Sequence, residues 1–204
     1  MYFVKGIKDF FVNTGKKLFL KDENSLEYKF LIIGDKEVGK TSFINKAVND
    51  IFDLEIESTE KIENYNMELK LGFNQIGIKL VDVPTSELSK NHGYLYHNIN
   101  GAFILYDITK HETFEKVQTY VCDIKGNIGS NSPIILIGNK KDLEHLRDVH
   151  ENELKELAFQ FNCDHIETTC TDDNSVLDIV KFMVFKAYYN SLSDEQKEEI
   201  LKMF

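Results

Sequence analysis

The stretch Gly34-Asp-Lys-Glu-Val-Gly-Lys-Thr41 decides the fold of this chain, because it matches the phosphate-loop template GxxxxGK[ST]. It follows the apolar residues 30–33 and precedes a helical pattern, which is the strand, loop and helix order that such a loop requires. Backbone N–H groups of the loop would converge on phosphate oxygens, and the start of the following helix would add positive charge. The context favours a phosphate site over a chance match.

The loop combines residues suited to phosphate with residues that are unusual at such a site. Lys40 would bridge the terminal phosphates, and the Thr41 hydroxyl would be a ligand of magnesium. Lys36 and Glu37 place long charged side chains where these loops often carry small residues. The residues that we expect to contact a nucleotide here are Asp35, Lys36, Glu37, Val38, Gly39, Lys40, Thr41 and Ser42.

Length and composition limit the class of protein. A chain of 204 residues, 42% of them hydrophobic, suits one domain with short tails. The net charge of −10 argues against a nucleic-acid partner, which needs a basic surface. The three cysteines have no CxxC spacing and the N-terminus has no signal-peptide pattern, so we expect free thiols in the cytoplasm. No apolar run approaches the ~20 residues that cross a bilayer.

Apolar spacing predicts strands that alternate with helices, and hence a three-layer α/β sandwich. Two runs that alternate around a short turn, residues 65–71 and 76–80, predict an antiparallel hairpin. Short apolar runs predict buried strands at residues 28–33, 103–106 and 134–137. Helical spacing follows the loop and recurs at about residues 112–125, 154–161 and 176–187.

Asp82 ends the predicted strand that follows the hairpin turn. At the carboxyl end of a strand beside the phosphate loop, an aspartate can hold magnesium through water. Aspartate also ends many strands at ordinary turns, so Asp82 alone is weak evidence for a metal site. Together with the phosphate loop upstream, it predicts one.

The segment Asn139-Lys-Lys-Asp142 follows another predicted strand. The Asp142 carboxylate could accept hydrogen bonds from the N1 and N2 donors of guanine, a pair that adenine lacks. The stem of Lys140 could cover the base, and Asn139 could tie the loops together. By itself the segment could be an ordinary polar turn. Because it follows a phosphate loop and Asp82 along the chain, it predicts guanine recognition.

Over residues 28–189 the chain resembles a Ras-superfamily small GTPase of the Rab type. The motifs that carry the resemblance are GDKEVGKT at 34–41, LVD at 80–82, YDIT at 106–109, GNKKDL at 138–143 and IETTCT at 166–171. The resemblance implies a mixed six-stranded sheet with helices on both faces. It also implies GTP or GDP with Mg²⁺ as cofactors, and effector and regulatory proteins as partners of two switch segments.

Further site residues follow from the resemblance. Thr59 lies where the family keeps the first-switch threonine, which contacts magnesium and the γ-phosphate, and Phe52 lies where an aromatic residue covers the guanine. The alternatives to these family roles are that Thr59 is an ordinary surface loop residue and that Phe52 is an aromatic residue of the core. Thr169, Cys170 and Thr171 match the loop whose backbone supports recognition of the guanine oxygen. The metal ligands implied are Thr41, Thr59 and Asp82, and the catalytic residues implied are Lys40 and Thr59.

The second switch departs from the family pattern Asp-Thr-Ala-Gly-Gln-Glu, because this chain reads Asp82-Val-Pro-Thr-Ser-Glu87. Pro84 and the β-branched Thr85 restrict the backbone where the family has glycine. Ser86 replaces the glutamine that orients the attacking water, and it is too short for that role. Lys36 would obstruct an arginine finger, or would itself act as an internal cation on the phosphates.

The resemblance implies a Rab-like switch in vesicle traffic or signalling, and these changes predict weak or absent GTP hydrolysis. The alternative is a pseudo-GTPase scaffold that holds nucleotide as a structural part. A nucleotide kinase is a third hypothesis, and the segment 139–142 argues against it.

The ends of the chain suggest three parts: an N-terminal extension (1–25), a G domain (26–190) and a helical tail (191–204). Apolar residues at helical spacing, with lysines nearby, predict that the extension lies on an anionic membrane or packs against its own domain or a partner. In the tail, Ser193 and Gln196 form a capping-box pattern. No cysteine follows Cys170, so the sequence offers no prenylation site.

Overall fold

The computed structural model describes residues 26–50, 61–71, 74–88, 93–171 and 175–201. Strands in these ranges are Leu26–Gly34 (β1), Glu63–Leu71 (β2), Asn74–Asp82 (β3), Gly101–Asp107 (β4), Ile134–Asn139 (β5) and Asp164–Glu167 (β6). The α-helices are Lys40–Asn49 (α1), Thr85–Leu88 (α2), His111–Glu115 (α3), Val117–Ile128 (α4), Glu151–Gln160 (α5), Ser175–Ser191 (α6) and Asp194–Leu201 (α7). Short 3₁₀ helices span Gly93–Tyr96 and Lys141–Leu146.

The strands form one sheet in the order β2-β3-β1-β4-β5-β6. The pair β2 and β3 is antiparallel, and the other neighbouring pairs are parallel. In the hairpin Tyr65 lies opposite Leu80 and Leu69 lies opposite Ile76, so the alternating residues share one face as predicted. The predicted mixed six-stranded sheet and its hairpin are therefore confirmed.

A hydrophobic core lies on each face of the sheet. Successive side chains of a strand point to opposite faces, so Ile32 belongs to one core and Ile33 to the other. The first core packs against α1 and α6, with Phe43 and Met183 fully buried in it. The second core packs against α4 and α5 and includes Leu154. These two cores confirm the three-layer sandwich and hold the carboxyl ends of the central strands at one edge.

On the face of the sheet that carries the second core, one contact joins β4 to β5. Tyr106 and Gly138 are partners in the register of these parallel strands. A Cβ atom added to Gly138 would lie 2.7 Å from the Tyr106 hydroxyl oxygen, closer than real Cβ contacts allow. The large ring at 106 therefore occupies space that a side chain at 138 would need.

The single helix expected at about 112–125 is divided in two. Helix α3 ends at Glu115 and α4 begins at Val117. The Thr113 hydroxyl donates to the Lys110 carbonyl oxygen over 2.7 Å, which binds the first turn to the segment after β4. Val117 of α4 is fully buried in the second core, on which Phe114 of α3 also packs. The two helices meet at Lys116, which is the C-cap of α3 and the N-cap of α4.

The tail helix begins with the predicted capping box. The Ser193 N–H donates to Gln196 Oε1 over 2.9 Å, and the Gln196 N–H donates to Ser193 Oγ over 3.3 Å. Among the described helices, none is both long enough and apolar enough to span a bilayer.

Candidate nucleotide site

The two glycines of the phosphate loop are required by close contacts. Gly34 ends β1, and a Cβ atom there would lie 2.3 Å from the Leu105 carbonyl oxygen of β4. Gly39 is the N-cap of α1 with φ 95°, in the left-handed region that favours glycine. A Cβ atom on Gly39 would lie 2.3 Å from Asn139 Nδ2. The loop therefore fits tightly between the ends of β4 and β5.

Lys40 turns its ammonium group into the loop. Its Nζ donates to the carbonyl oxygens of Gly34, over 3.0 Å, and Asp35, over 2.8 Å. Only 8% of the residue is exposed. Burial lowers the pKa of the Lys40 ammonium, while the nearby carboxylates of Asp82 and Asp35 oppose that shift. A buried cation held by loop carbonyls is well placed to bind an oxyanion that enters the loop.

Thr41 and Asp82 bring two hard oxygen donors together. The Thr41 hydroxyl donates to Asp82 Oδ2 over 2.8 Å. Asp82 is fully buried at the end of β3, where it lies in register with Ile32 of β1. Hydroxyl and carboxylate oxygens are ligands that Mg²⁺ prefers. Within the described part of the chain no three His, Cys, Asp or Glu side chains group as metal ligands, so a magnesium ion here would need phosphate and water as well.

Asn139 joins three loops of the site. Its Nδ2 donates to the Val38 carbonyl oxygen in the phosphate loop over 2.8 Å. Its Oδ1 accepts the Cys170 thiol, whose Sγ lies 3.7 Å away. Burial raises the pKa of the Cys170 thiol to about 11, although the contact with Asn139 opposes this, so the thiol is neutral at physiological pH. The structure thus shows the tie between loops that the sequence suggested for Asn139.

Asp142 is exposed and is held by the threonine loop. The Thr169 hydroxyl donates to Asp142 Oδ1 over 2.5 Å, and the Thr171 N–H donates to Thr169 Oγ1 over 3.1 Å. The Lys141 N–H donates to the Thr168 carbonyl oxygen over 3.0 Å, which adds a backbone link. The structure therefore brings Asp142 and residues 169–171 to one place, with the carboxylate fixed at the surface.

Lys140 has a partner that the sequence reasoning missed. Its Nζ lies 2.7 Å from Oδ2 of Asp107, at the end of β4. Burial acts to raise the pKa of Asp107, but hydrogen bonds from Lys140 and Thr109 outweigh burial and hold that pKa below its usual range. The aspartate of the YDIT motif was a signal for this pair, because it ends the strand next to the one that Lys140 follows.

The second switch is bound to the phosphate loop through Thr85. The Thr85 hydroxyl donates to the Gly34 carbonyl oxygen over 3.2 Å. Helix α2 begins at Thr85, and Ser86 is exposed on its surface. The sequence indicated only a restricted backbone at 85, so the hydroxyl contact with the loop is a further constraint that it did not reveal.

The acidic residues of the phosphate loop are paired with lysines from the segment after β4. Lys116 donates a hydrogen bond to Asp35 Oδ2, and Lys110 Nζ lies 3.1 Å from Glu37 Oε2. Lys36 is exposed, and its N–H donates to Asp35 Oδ1 over 3.0 Å. The sequence reasoning missed both lysines, which lie far from the loop along the chain and in no recognised motif.

The remaining expected site residues divide into two groups. Val38 is buried below the loop, and Ser42 lies half-buried in the first turn of α1. Phe52, Thr59 and the extension 1–25 lie outside the described residues.

Two comparisons with known proteins agree with this geometry. A family model for the Ras family matches residues 29–189. The Ras-related protein Rab-11A of Dictyostelium discoideum is 31% identical over 158 residues, which cover 76% of this chain and 73% of that protein. Members of the family generally bind GTP or GDP with Mg²⁺ and interact with effectors and regulators. The chain therefore belongs to the Ras family, as a Rab-like small GTPase of the nucleotide-binding switch class.

Proposed function

We propose that the chain is a guanine-nucleotide switch that binds GTP and GDP with magnesium and hydrolyses GTP slowly. Guanine selection would depend on Asp142, whose carboxylate Thr169 holds at 2.5 Å. A carboxylate with one oxygen fixed keeps acceptor capacity for two N–H donors of a base. Asn139 and Lys140 would support the base, and Phe52 would cover it.

The phosphates would bind in the loop 34–41. Lys40 would leave the carbonyl oxygens of the loop for the terminal phosphates, and the start of α1 would supply backbone N–H donors. Thr41, Thr59 and Asp82 would together surround the magnesium ion. The ion would offset phosphate charge. The hydroxyl and carboxylate already placed 2.8 Å apart support this assignment.

The contact of Thr85 with Gly34 carries the proposal of slow hydrolysis. At this position the family has a glycine whose N–H approaches the γ-phosphate. Here the side chain donates to the loop over 3.2 Å, which favours one conformation of the switch. Ser86 is too short to orient a water molecule, and Lys36 is exposed where an arginine finger would enter. The residues at positions 36, 85 and 86 would thus all slow the hydrolysis of GTP.

Single-turnover hydrolysis by the full-length protein tests the proposal. The protein is loaded with GTP, magnesium is added, and the conversion to GDP is followed with time. We expect tight GTP binding and a rate well below that of a matched ordinary Rab-type control. Binding that prefers ATP would contradict guanine selection, and a rate equal to that of the control would contradict slow hydrolysis.

The second candidate is a pseudo-GTPase scaffold, favoured by the same Thr85 contact because a fixed switch can present one surface in every nucleotide state. Partner affinity that is equal in the GDP and GTP-analogue forms would support the scaffold. Affinity that differs between the two forms would support the switch, in membrane traffic or signalling.

Membrane attachment through the extension 1–25 remains part of the proposal, because of its basic amphipathic pattern. Sedimentation with anionic liposomes, with and without residues 1–22, tests it. Loss of sedimentation on truncation would support the membrane role. Equal sedimentation of both proteins would overturn it.

A further inference from the structure

Two lysines outside the phosphate-loop motif neutralise its two acidic side chains. Lys116, between α3 and α4, donates a hydrogen bond to Asp35 Oδ2. Lys110, just before α3, places Nζ 3.1 Å from Glu37 Oε2. One segment of chain after β4 therefore reaches the loop at two places.

Asp35 lies in electrostatic contact with the phosphate-binding lysine. Its side chain is 17% exposed, and its own carbonyl oxygen accepts Lys40 Nζ over 2.8 Å. Burial acts to raise the pKa of Asp35, but the bonds from Lys116 and from the Lys36 N–H outweigh it and hold the pKa below the ordinary value. Asp35 is therefore a carboxylate at neutral pH, and it attracts Lys40.

A carboxylate at this position opposes phosphate binding in two ways. It repels the phosphate charge, and it competes with the phosphate for the Lys40 ammonium. The pair with Lys116 offsets both effects at Asp35. The pair between Lys110 and Glu37 does the same at the outer side of the loop. Its effect is smaller, because the Glu37 side chain is 72% exposed and more strongly screened.

We propose that Lys116 and Lys110 are positioning residues for nucleotide binding, which hold the carboxylates of Asp35 and Glu37 away from the phosphates and so lengthen the residence time of the nucleotide. The inference rests on the proposed guanine-nucleotide binding. It adds to the site two residues that no phosphate-loop motif contains.

Release of a fluorescent GDP analogue from the full-length protein, chased with excess GDP, measures the effect. We expect Lys116→Gln to release the analogue about three- to tenfold faster at low salt, and Lys110→Gln less than about threefold faster. Both differences should shrink as ionic strength rises. Lys116→Arg keeps the charge and should release at nearly the wild-type rate.

The double variant Asp35→Asn/Lys116→Gln separates an electrostatic role from a structural one. It removes the carboxylate together with its partner, so release should return to within about twofold of wild type, as in a double-mutant cycle. Lys155→Gln is the matched control, because it breaks a pair of 3.2 Å with Glu151 on α5. Its release rate should equal that of wild type.

Three results would overturn the inference. Equal rates in the wild type and the single lysine variants would show that the pairs have no effect on the nucleotide. A double variant as fast as Lys116→Gln would show that the lysine acts without Asp35. A wild-type protein that retains no guanine nucleotide would overturn the proposed function as well.

Discussion

The amide of Asn139 occupies the space that a side chain on Gly39 would need. A Cβ atom at 39 would lie 2.3 Å from Asn139 Nδ2, and the same nitrogen donates to the Val38 carbonyl oxygen over 2.8 Å. The phosphate loop and the end of β5 are therefore fitted to each other before any nucleotide enters. Changes at either residue should affect the phosphate side and the base side of the site together.

The first prediction concerns Gly39→Ala. The new Cβ would meet Asn139 and would force alanine to adopt φ 95°, a strain of about 1–3 kcal/mol. We expect a lower melting temperature and less co-purified nucleotide. The control is Gly126→Ala, on α4, where a Cβ atom has no neighbour within 4 Å. Alanine there should be neutral or slightly stabilising, and an equal loss of stability in both variants would contradict the prediction.

The second prediction concerns Asn139→Ala. The variant loses the hydrogen bond to Val38 and leaves a buried carbonyl oxygen without that donor, at a cost of about 1–3 kcal/mol. We expect guanine nucleotide to be released roughly tenfold faster, measured with a fluorescent analogue. Asn127→Ala is the control, since Asn127 Nδ2 bonds only within its own helix, to Asp123. If both variants release nucleotide at the wild-type rate, the tie is not needed for retention.

The third prediction concerns Asp142→Asn. An amide N–H₂ placed before the N1 and N2 donors of guanine cannot accept both hydrogen bonds, so affinity for GDP should fall by about a hundredfold or more. Xanthine has a carbonyl oxygen in place of the N2 amine, and an asparagine can donate to it. Competition between GDP and XDP is the measurement, and preference for GDP in the variant would refute the base-recognition role of Asp142.

The fourth prediction concerns the paired change Thr85→Gly and Ser86→Gln. Glycine removes the hydroxyl contact with Gly34, and glutamine restores a side chain that can orient water. We expect the single-turnover hydrolysis rate to rise about tenfold or more, with little change in GTP affinity. Thr85→Ser keeps the hydroxyl and is the matched variant that should stay slow. An unchanged rate in the paired variant would mean that these two residues do not limit hydrolysis.

The fifth prediction concerns pH and His111. Its Nε2 lies 3.0 Å from Glu153 Oε2, and its Nδ1 lies 3.7 Å from Glu115 Oε1. The hydrogen bond to Glu153 raises the pKa of His111, and the same bond lowers the pKa of Glu153. A raised histidine pKa gives stability that is complete below the unfolded value of about 6.5 and is lost as pH rises through the folded value.

The measurement is the melting temperature of His111→Gln against wild type. The variant should be less stable by about 1–2 °C at pH 6, and the difference should shrink as pH rises through the folded pKa of His111. His145→Gln, which replaces an exposed histidine in the 3₁₀ helix Lys141–Leu146, is the matched control. A difference that grows with pH would contradict the assignment to His111.

Local patterns were sufficient for most of the fold. The hairpin was predictable because alternate residues such as Met67 and Ile78 must face one core, and a register error would expose them. The buried run before Gly34 was predictable because a central parallel strand is covered on both faces. The break at Lys116 was not predictable from apolar spacing; it follows Thr113, whose hydroxyl oxygen accepts the Asp107 N–H at the end of β4.

In the candidate site, too, some features could be predicted from the sequence and others could not. Lys40, Asp82 and Asp142 could be proposed from the sequence because their motifs combine several residues at fixed spacing. The hydrogen bond from Thr85 to Gly34 and the pairs of Lys110 and Lys116 with the loop were missed. Each joins residues that are more than fifty positions apart through one side-chain contact, and no periodicity or motif in one sequence reports such a contact.

The close approach of Tyr106 to Gly138 constrains the order in which this sequence can change. A larger residue at 138 would collide with the hydroxyl at 2.7 Å, so it is acceptable only after residue 106 has become smaller. Reducing residue 106 first passes through a variant with a void where the fully buried Tyr106 ring was, which is costly but not sterically forbidden. One evolutionary path between the two arrangements is therefore open, and the other is closed.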